Sequence, residues 1–350
     1  MISIHTFELS LELSPKQFNN TLSHGYKLAK EGRHRLGYSK HSSDIRVDDI
    51  YAKYGIMIEY HDHDFKKSVN FRVNPSELLG GTDLKLWKPT NKNIGILTEK
   101  LNDFIYDYFE DDYTLDDFTL SRVEFTANLN VGTQNVSSYI HLMHKIGTPK
   151  GFSPKYTSKD YKKRGISKEN SFDLENKRTH IEFSMYDKAA DLLGKNKFSK
   201  ATDASGILRA EVRLKKRKAV LEKLSELCDH DSLTTEEELQ VLAVNSSNIF
   251  CEFFASIVPC GVHYQFKVAK EKILNSDLSS KKKEKMTKLI DLIPKKKSLY
   301  SSFKEFDYRD KEKMLNWFAK IDVSPLILSK RAPHKPLDNI YSCLQECLVK

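Results

Sequence analysis

The sequence predicts an α+β fold: a mixed or antiparallel sheet with helices on one face, followed by an all-helical C-terminal region. Three observations predict it. Six segments before residue 215 alternate apolar and polar side chains, the period-two pattern of half-buried strands. The stretches between them are either long enough for helices or rich in polar and turn-forming residues. After Lys215 the period changes: Val220, Leu221, Leu224 and Leu227 are spaced for one helical face, and nearly everything beyond reads as helix. Runs of strands followed by runs of helices point to α+β layering. The change falls near residue 225 and divides the chain into 1–225 and 226–350.

In residues 5–13, Phe7, Leu9, Leu11 and Leu13 face inward while Glu8, Ser10 and Glu12 face outward, a first strand. Ser14 then supplies an N-cap and Pro15 the first helical position, so residues 15–30 are expected to be helical. Residues 31–49 are polar and irregular and read as loop. Residues 55–60 and 69–74 give two more strands, the second stopped by Pro75, and the polar 61–68 between them suggests a hairpin. Residues 91–109 read as helix, 119–130 as the fourth strand and 135–146 as a short helix. Residues 147–178, rich in Gly, Pro, Ser, Lys and Asn, hold no period and read as a long loop, often a place of function. The fifth strand lies within 177–188, with a helix over 188–193, a polar stretch over 194–205 and the sixth strand at 208–214. Breaks between the later helices are expected near 229–234, 259–262, 277–281, 293–298 and 322–337.

The bulk numbers set limits. A chain of 350 residues has room for a sizeable core and for two domains. No apolar run approaches the ~20 residues that cross a bilayer, and residues 1–8 do not read as a secretory signal, so a cytoplasmic protein with no membrane partner is expected. Five cysteines, at 228, 251, 260, 343 and 347, form no CxxC pair and read as reduced thiols rather than a disulfide framework or a zinc site. The formal charge is +9, and residues 206–350 carry roughly +7 of it, 27 basic against 20 acidic residues. That surplus suits a polyanion, and equally a face of solvated lysines.

The chemistry gathers on three strands. In the fourth, Arg122, Glu124, Thr126 and Asn128 oppose Val123, Phe125, Ala127 and Leu129. In the fifth, His180, Glu182, Ser184 and Tyr186 oppose Ile181, Phe183 and Met185. In the sixth, Arg209, Glu211 and Arg213 oppose Leu208, Ala210, Val212 and Leu214. If these strands are neighbours, the sheet offers a polar face with carboxylates, arginines and one tyrosine. Mg²⁺ or Mn²⁺ held by Glu124 and Glu211 would follow from their taste for oxygen donors. A free tyrosine, with a pKa near ~10, is a poor nucleophile and needs a metal or base to shed its proton. The metal would also polarise a phosphodiester, and Arg122 or Arg209 would bind its oxygens. The product would be a phosphotyrosyl bond that can later be rejoined. An ordinary solvated sheet with cross-strand Glu–Arg pairs gives the same pattern.

His61 and His63 flank Asp62 on what reads as a strand end and are a second metal candidate, or an exposed polar hairpin. Lys188, Arg209, Arg213, Lys215, Lys216 and Arg217 are candidate DNA phosphate contacts. Lysine triplets at 281–283 and 295–297 flank a helical stretch, and 311–320 is amphipathic; the region reads as a DNA-reading helical unit or as a bundle with solvated lysines.

Four segments, in order, resemble the Rep_trans family of rolling-circle replication initiators and the gene II/X-type replication proteins of phages and plasmids. Val69-Asn-Phe-Arg-Val-Asn-Pro75 is similar to the family's Arg-Val-Glu-Phe-Asn-Pro strand end. Ser121-Arg-Val-Glu-Phe-Thr-Ala-Asn128 is similar to its Thr-Arg-Leu-Asp-hydrophobic strand. Phe183-Ser-Met-Tyr-Asp-Lys188 is similar to its segment carrying the nucleophilic tyrosine, and Leu208-Arg-Ala-Glu-Val-Arg-Leu-Lys215 to its Arg-hydrophobic-Glu strand. The resemblance spans roughly residues 1–220. Glu124 stands where the family often has Asp, and Ser184 where an arginine often precedes the tyrosine by two.

The resemblance implies that 1–225 is a nicking and joining domain with Tyr186 as nucleophile and Glu124 and Glu211 at the metal and phosphate site. It implies that 226–350 is a helical DNA-binding or accessory domain. It also implies origin nicking, a 5′-phosphotyrosyl intermediate, and DNA, a host helicase and a second copy of the chain as partners. A conjugative relaxase of the same type, and a non-catalytic DNA-binding or copy-control protein, are the alternatives.

Overall fold

The computed structural model describes residues 1–32, 36–38, 45–47, 54–63, 66–109, 113–155, 170–229, 232–329 and 335–349. Among these residues ten strands form one sheet: β1 (Ile2–Leu13), β2 (Leu36–Tyr38), β3 (Ile45–Val47), β4 (Ile56–His63), β5 (Lys66–Val73), β6 (Thr119–Asn130), β7 (Ser153–Pro154), β8 (Ser171–Asn176), β9 (Ile181–Asp187) and β10 (Ile207–Leu214). Their order is β2-β3-β4-β5-β1-β6-β10-β9-β8-β7, and every neighbouring pair is antiparallel. The fourth, fifth and sixth expected strands are therefore adjacent, with β10 between β6 and β9.

Register follows the alternation. Val73, Phe7, Val123, Leu214 and Ile181 lie opposite one another in a row across five strands. Such rows make one face apolar and the other polar, and a slip of one residue would exchange them. Among the described residues twelve helices, numbered in chain order, complete the fold, with further one-turn pieces such as Pro75–Leu78. They are α1 (Pro15–Lys30), α2 (Asn91–Tyr108), α3 (Val136–His144), α4 (Lys188–Gly194), α5 (Phe198–Asp203), α6 (Arg217–Leu227), α7 (Thr235–Val244), α8 (Ser246–Ile257), α9 (Phe266–Leu274), α10 (Ser280–Lys296), α11 (Tyr308–Lys320) and α12 (Ile340–Val349). α1 starts at a capping box in which Ser14 and Gln17 satisfy each other's backbone N–H, with Pro15 following.

Helices cover the apolar face. Phe71 of β5 meets Phe104 and Tyr108 of α2 edge-on at centroid separations of 5.5 and 6.1 Å. Phe183 of β9 meets Phe254 of α8 at 6.1 Å, and Phe254 in turn meets Tyr341 of α12 at 5.3 Å. Buried apolar residues from both sides of residue 225 belong to one contiguous cluster. Residue 225 itself lies inside α6. Among the described residues no helix is long and apolar enough to cross a membrane.

Several expectations need correction. Strands β2 and β3 occupy part of the expected loop 31–49, and β7 and β8 part of the expected loop 147–178. In β8 only Phe172 and Leu174 carry the apolar phase, too few to read as a period, and the strand exists through its pairing with β9. Residues 156–169 of that loop lie outside the described residues. His180 is not on the polar face of β9. It sits in the β8–β9 turn with φ 55°, where Asn176 Oδ1 accepts from the backbone N–H of Arg178 and Thr179 and closes the turn. Helix α5 lies in the expected polar stretch 194–205, and α10 continues through Pro294 to Lys296, past the start of the expected break.

Candidate metal centre on the polar face of the sheet

The polar face builds its site from four strands. Antiparallel pairing sets Arg213 opposite both Glu124 and Glu182, and Glu211 opposite Thr126 and Ser184. Tyr186 is set opposite Arg209. Diagonal neighbours across a strand pair are within reach of long side chains, and the Tyr186 hydroxyl reaches Glu211, donating to Oε1 at 2.6 Å. β1 supplies the fourth wall through an irregularity. Its register with β6 shifts between Ile4, opposite Phe125, and Thr6, opposite Glu124. The extra residue at this bulge is His5, and a bulge re-aims a side chain. His5 Nδ1 lies 3.3 Å from Glu124 Oε1.

His5, Glu124 and Glu211 each bring one ligand atom within 4.8 Å of the others, the only such group of three among the described residues. Their exposures of 8%, 6% and 1% make this a recessed cluster rather than a surface acid patch. Arg213 bridges the two carboxylates: its Nε donates to Glu124 Oε2 at 2.9 Å and its Nη2 to Glu211 Oε2. Arg122 Nη2 donates to Glu124 Oε2 at 3.2 Å. The guanidinium contacts thus fall on the two Oε2 atoms, while the Oε1 atoms face His5 and Tyr186.

Charge follows this geometry. Burial opposes ionisation of Glu124, but Arg213, His5 and Arg122 outweigh it and hold the carboxyl well below its usual range. Burial and then the Glu211 carboxylate push the Tyr186 phenol well above its usual value, against the pull of Arg209. The phenol is therefore protonated as the chain stands, and a nearby cation would reverse that tendency.

The donor set fits a divalent metal ion. Two carboxylate oxygens suit Mg²⁺ or Mn²⁺, and the imidazole nitrogen shifts the preference toward Mn²⁺, since Mg²⁺ is the harder ion and favours oxygen.

The structure brings Tyr186, Glu124, Glu211 and Arg122 together as the strand pattern expected. It removes two other candidates, Arg209 and Lys188, from the surface and pairs three more with carboxylates. Arg209 is fully buried; its Nε donates to Asn128 Oδ1 at 2.8 Å, its Nη1 to Asp83 Oδ1 at 3.0 Å and its Nη2 to the Asp83 carbonyl at 2.6 Å. It is an internal tie and does not reach a polynucleotide. Lys188, 2% exposed, is held by Asp83 Oδ2 at 2.6 Å and Asp191 Oδ2 at 3.2 Å. Arg213 is committed to the carboxylates. Arg217 grips Glu238 with two bonds of 2.5 and 2.6 Å, and Lys215 pairs with Glu182 at 2.6 Å. Lys216 is exposed. His61 lies on β4, three strands from β6, with Nε2 3.7 Å from Glu59 and its ring 6.1 Å from that of His63. Phe318 of α11 is core, and Trp317 lies under Lys282 at 5.6 Å.

Sequence reasoning missed His5 and Asp83. His5-Thr6 is a polar doublet that breaks the alternation of β1, and a doublet inside a clean period is the sequence mark of a bulge. Asp83 comes from an irregular loop and carries no such signal. No protein-family model matches the chain, and no curated protein matches it.

Proposed function

We propose that this chain is a metal-assisted, tyrosine-dependent DNA strand transferase that initiates rolling-circle replication by nicking and rejoining an origin. The single observation that supports the reading is the hydrogen bond from Tyr186 to Glu211 Oε1, at the edge of the His5, Glu124 and Glu211 group. A phenol poised on a carboxylate that also belongs to a cation-sized donor set has what tyrosine attack on phosphate requires.

In this reading the Tyr186 oxygen attacks the scissile phosphorus and its proton passes to Glu211 Oε1. The bond from phosphorus to the 3′ oxygen breaks, that oxygen takes a proton from water, and the 5′ phosphate stays on Tyr186. One phosphodiester is exchanged for another, so attack by a 3′ hydroxyl on the phosphotyrosine reverses the step. His5, Glu124 and Glu211 would hold a divalent ion, which when bound would supply Lewis-acid polarisation of the phosphate and lower the cost of the phenolate. Arg213, His5 and Arg122 keep Glu124 ionised in its absence. DNA is the substrate, a host helicase and a second copy of the chain are the partners, and the cytoplasm is the compartment this reading calls for.

The test uses supercoiled DNA carrying the cognate origin, for which a GC-rich palindrome in or near the coding region is the first choice, with Mn²⁺ or Mg²⁺. A covalent protein–DNA adduct and nicked circles are expected, and Tyr186→Phe should abolish both while melting like the parent. An adduct that survives Tyr186→Phe moves the nucleophile elsewhere. A conjugative relaxase would show the same chemistry at a transfer origin. A non-catalytic DNA-binding or copy-control role is favoured by a different observation, the dense pairing of Glu124 and Glu211 with Arg213. Binding at the origin without any adduct would select it.

A further inference from the structure

Asp83 stands outside every strand, yet it meets two groups of the polar face and one at the start of α4 at once. Its carboxylate hydrogen-bonds His5 Nε2 through Oδ1, the same oxygen accepts from Arg209 Nη1 at 3.0 Å, and Oδ2 pairs with Lys188 at 2.6 Å. The loop that carries it is fixed from both sides. Asn128 Nδ2 donates to the Leu84 carbonyl at 2.8 Å, and Trp87 Nε1 donates to the Ile4 carbonyl at 2.6 Å. The Trp87 bond lands on the residue immediately before the bulge, so loop and bulge are locked together. Arg209 Nη1 also lies 3.2 Å from His5 Nε2, and both nitrogens converge on Asp83 Oδ1, so with Nε2 as N–H the two donate side by side to that oxygen.

A carboxylate accepting from one imidazole nitrogen fixes that nitrogen as N–H and leaves the other as the lone-pair donor. On His5 the other nitrogen is Nδ1, the one facing Glu124 Oε1. We propose that Asp83 is a positioning residue for the metal centre: by holding His5 Nε2–H it presents Nδ1 as the ligand atom, with Arg209 and Lys188 holding Asp83 in turn. The assignment rests on the metal centre read above and adds to it an outer partner that touches neither DNA nor metal. Lys188 and Arg209, expected at the DNA surface, find their role here as the counter-charges that keep this carboxylate ionised in a recessed place.

Mn²⁺ affinity, measured by electron paramagnetic resonance titration of the full chain, reads the proposal directly. Removal of such an outer carboxylate costs roughly 10- to 100-fold in metal affinity, so Asp83→Asn should weaken Mn²⁺ binding by that factor. In a His5→Ala background the same change should add nothing, because its effect runs through the imidazole. A merely structural Asp83 would give the same loss with or without His5. Asp83→Glu is the second variant should Asp83→Asn not fold: it keeps the charge that Arg209 and Lys188 need but displaces the carboxylate from His5, and it too should weaken Mn²⁺. Long-range proton–nitrogen NMR of the unmutated protein, labelled at histidine and loaded with Mg²⁺, should show His5 protonated at Nε2 and not at Nδ1. The opposite tautomer, or an Asp83→Asn protein binding Mn²⁺ as tightly as the parent, overturns the assignment and leaves the metal centre standing. A parent protein that takes up no divalent ion overturns both.

Discussion

Arg213 ties the polar face together at a single residue. Its guanidinium meets Glu124, Glu211 and Ser184, and lies 3.5 Å from Glu182, with its side chain 18% exposed. Two recessed carboxylates facing one another without it would repel and lack solvent. Removing one partner of a buried ion pair costs roughly 3–5 kcal/mol, far more than an exposed pair is worth. Arg213→Met should therefore lower stability by about that amount in denaturant unfolding without metal. A divalent ion binds only the folded chain and takes over part of the neutralisation, so saturating Mn²⁺ should restore more stability to Arg213→Met than it adds to the parent. An equal gain in both proteins would mean that Glu124 and Glu211 do not share a cation. Tyr186 and the two glutamates were legible in the sequence because each sits at a polar phase of a strand whose apolar phase is strict. His5 was hidden by the same rule: its bulge breaks the phase on which the reading depended.

At the level of elements, the crossing of residues 258–265 with 322–328 and with Leu337 holds the C-terminal helices together. His263 and Leu337 exchange backbone hydrogen bonds of 2.9 and 3.1 Å, and Gly261 passes Val323 so closely, at φ 121°, that a Cβ would sit 2.4 Å from the Val323 carbonyl carbon. His263 is wholly buried, its Nδ1–H donates to the Leu326 carbonyl at 2.8 Å, and its Nε2 has no hydrogen-bond partner. Tyr139 lies edge-on at 6.0 Å, and the Lys145 ammonium adds a repelling charge. Burial, then, pushes the imidazole down to about 4 from 6.5, despite the Leu326 bond. A base depressed in the folded state is neutral there while the unfolded chain binds a proton, so stability is full above pH 6.5 and falls as the pH drops toward 4. The gap from 6.5 to about 4 is worth about 3 kcal/mol at about 1.4 kcal/mol per unit. His263→Asn can still donate to Leu326 and does not titrate, so its unfolding free energy should lose that part of the acid slope. Equal slopes would show that His263 is not the group responsible. The long strands and helices were readable from period and caps, whereas β2, β3, β7 and β8 were not, because two-to-six-residue strands borrow their definition from a neighbour rather than from their own pattern.

Across the whole molecule, the change of period near residue 225 marks a change of secondary structure within a single contiguous core. The sheet's apolar face needs a cover, and much of it comes from helices beyond that point. Phe250 and Phe254 of α8 are fully buried, Phe254 against Phe183 of the strand that carries Tyr186. On α12, Cys347 donates to the Asn128 carbonyl of β6, and Leu344 is 3% exposed. Fully burying one large apolar side chain is worth about 1.5–3 kcal/mol, and a domain's net stability is only about 5–15 kcal/mol. Loss of α8 and α12 together would uncover several such side chains on each side of the contact and consume that margin. A chain ending at residue 225 should therefore fail to give a cooperative unfolding transition, expose apolar surface to a hydrophobic dye and lose Mn²⁺ binding. The full chain should unfold in one transition that its β and helical signals share. A 1–225 fragment that melts cooperatively and still binds Mn²⁺ would show instead that the sheet can close its core with the helices before residue 225 alone, and that the later helices are an added domain rather than the sheet's own second layer.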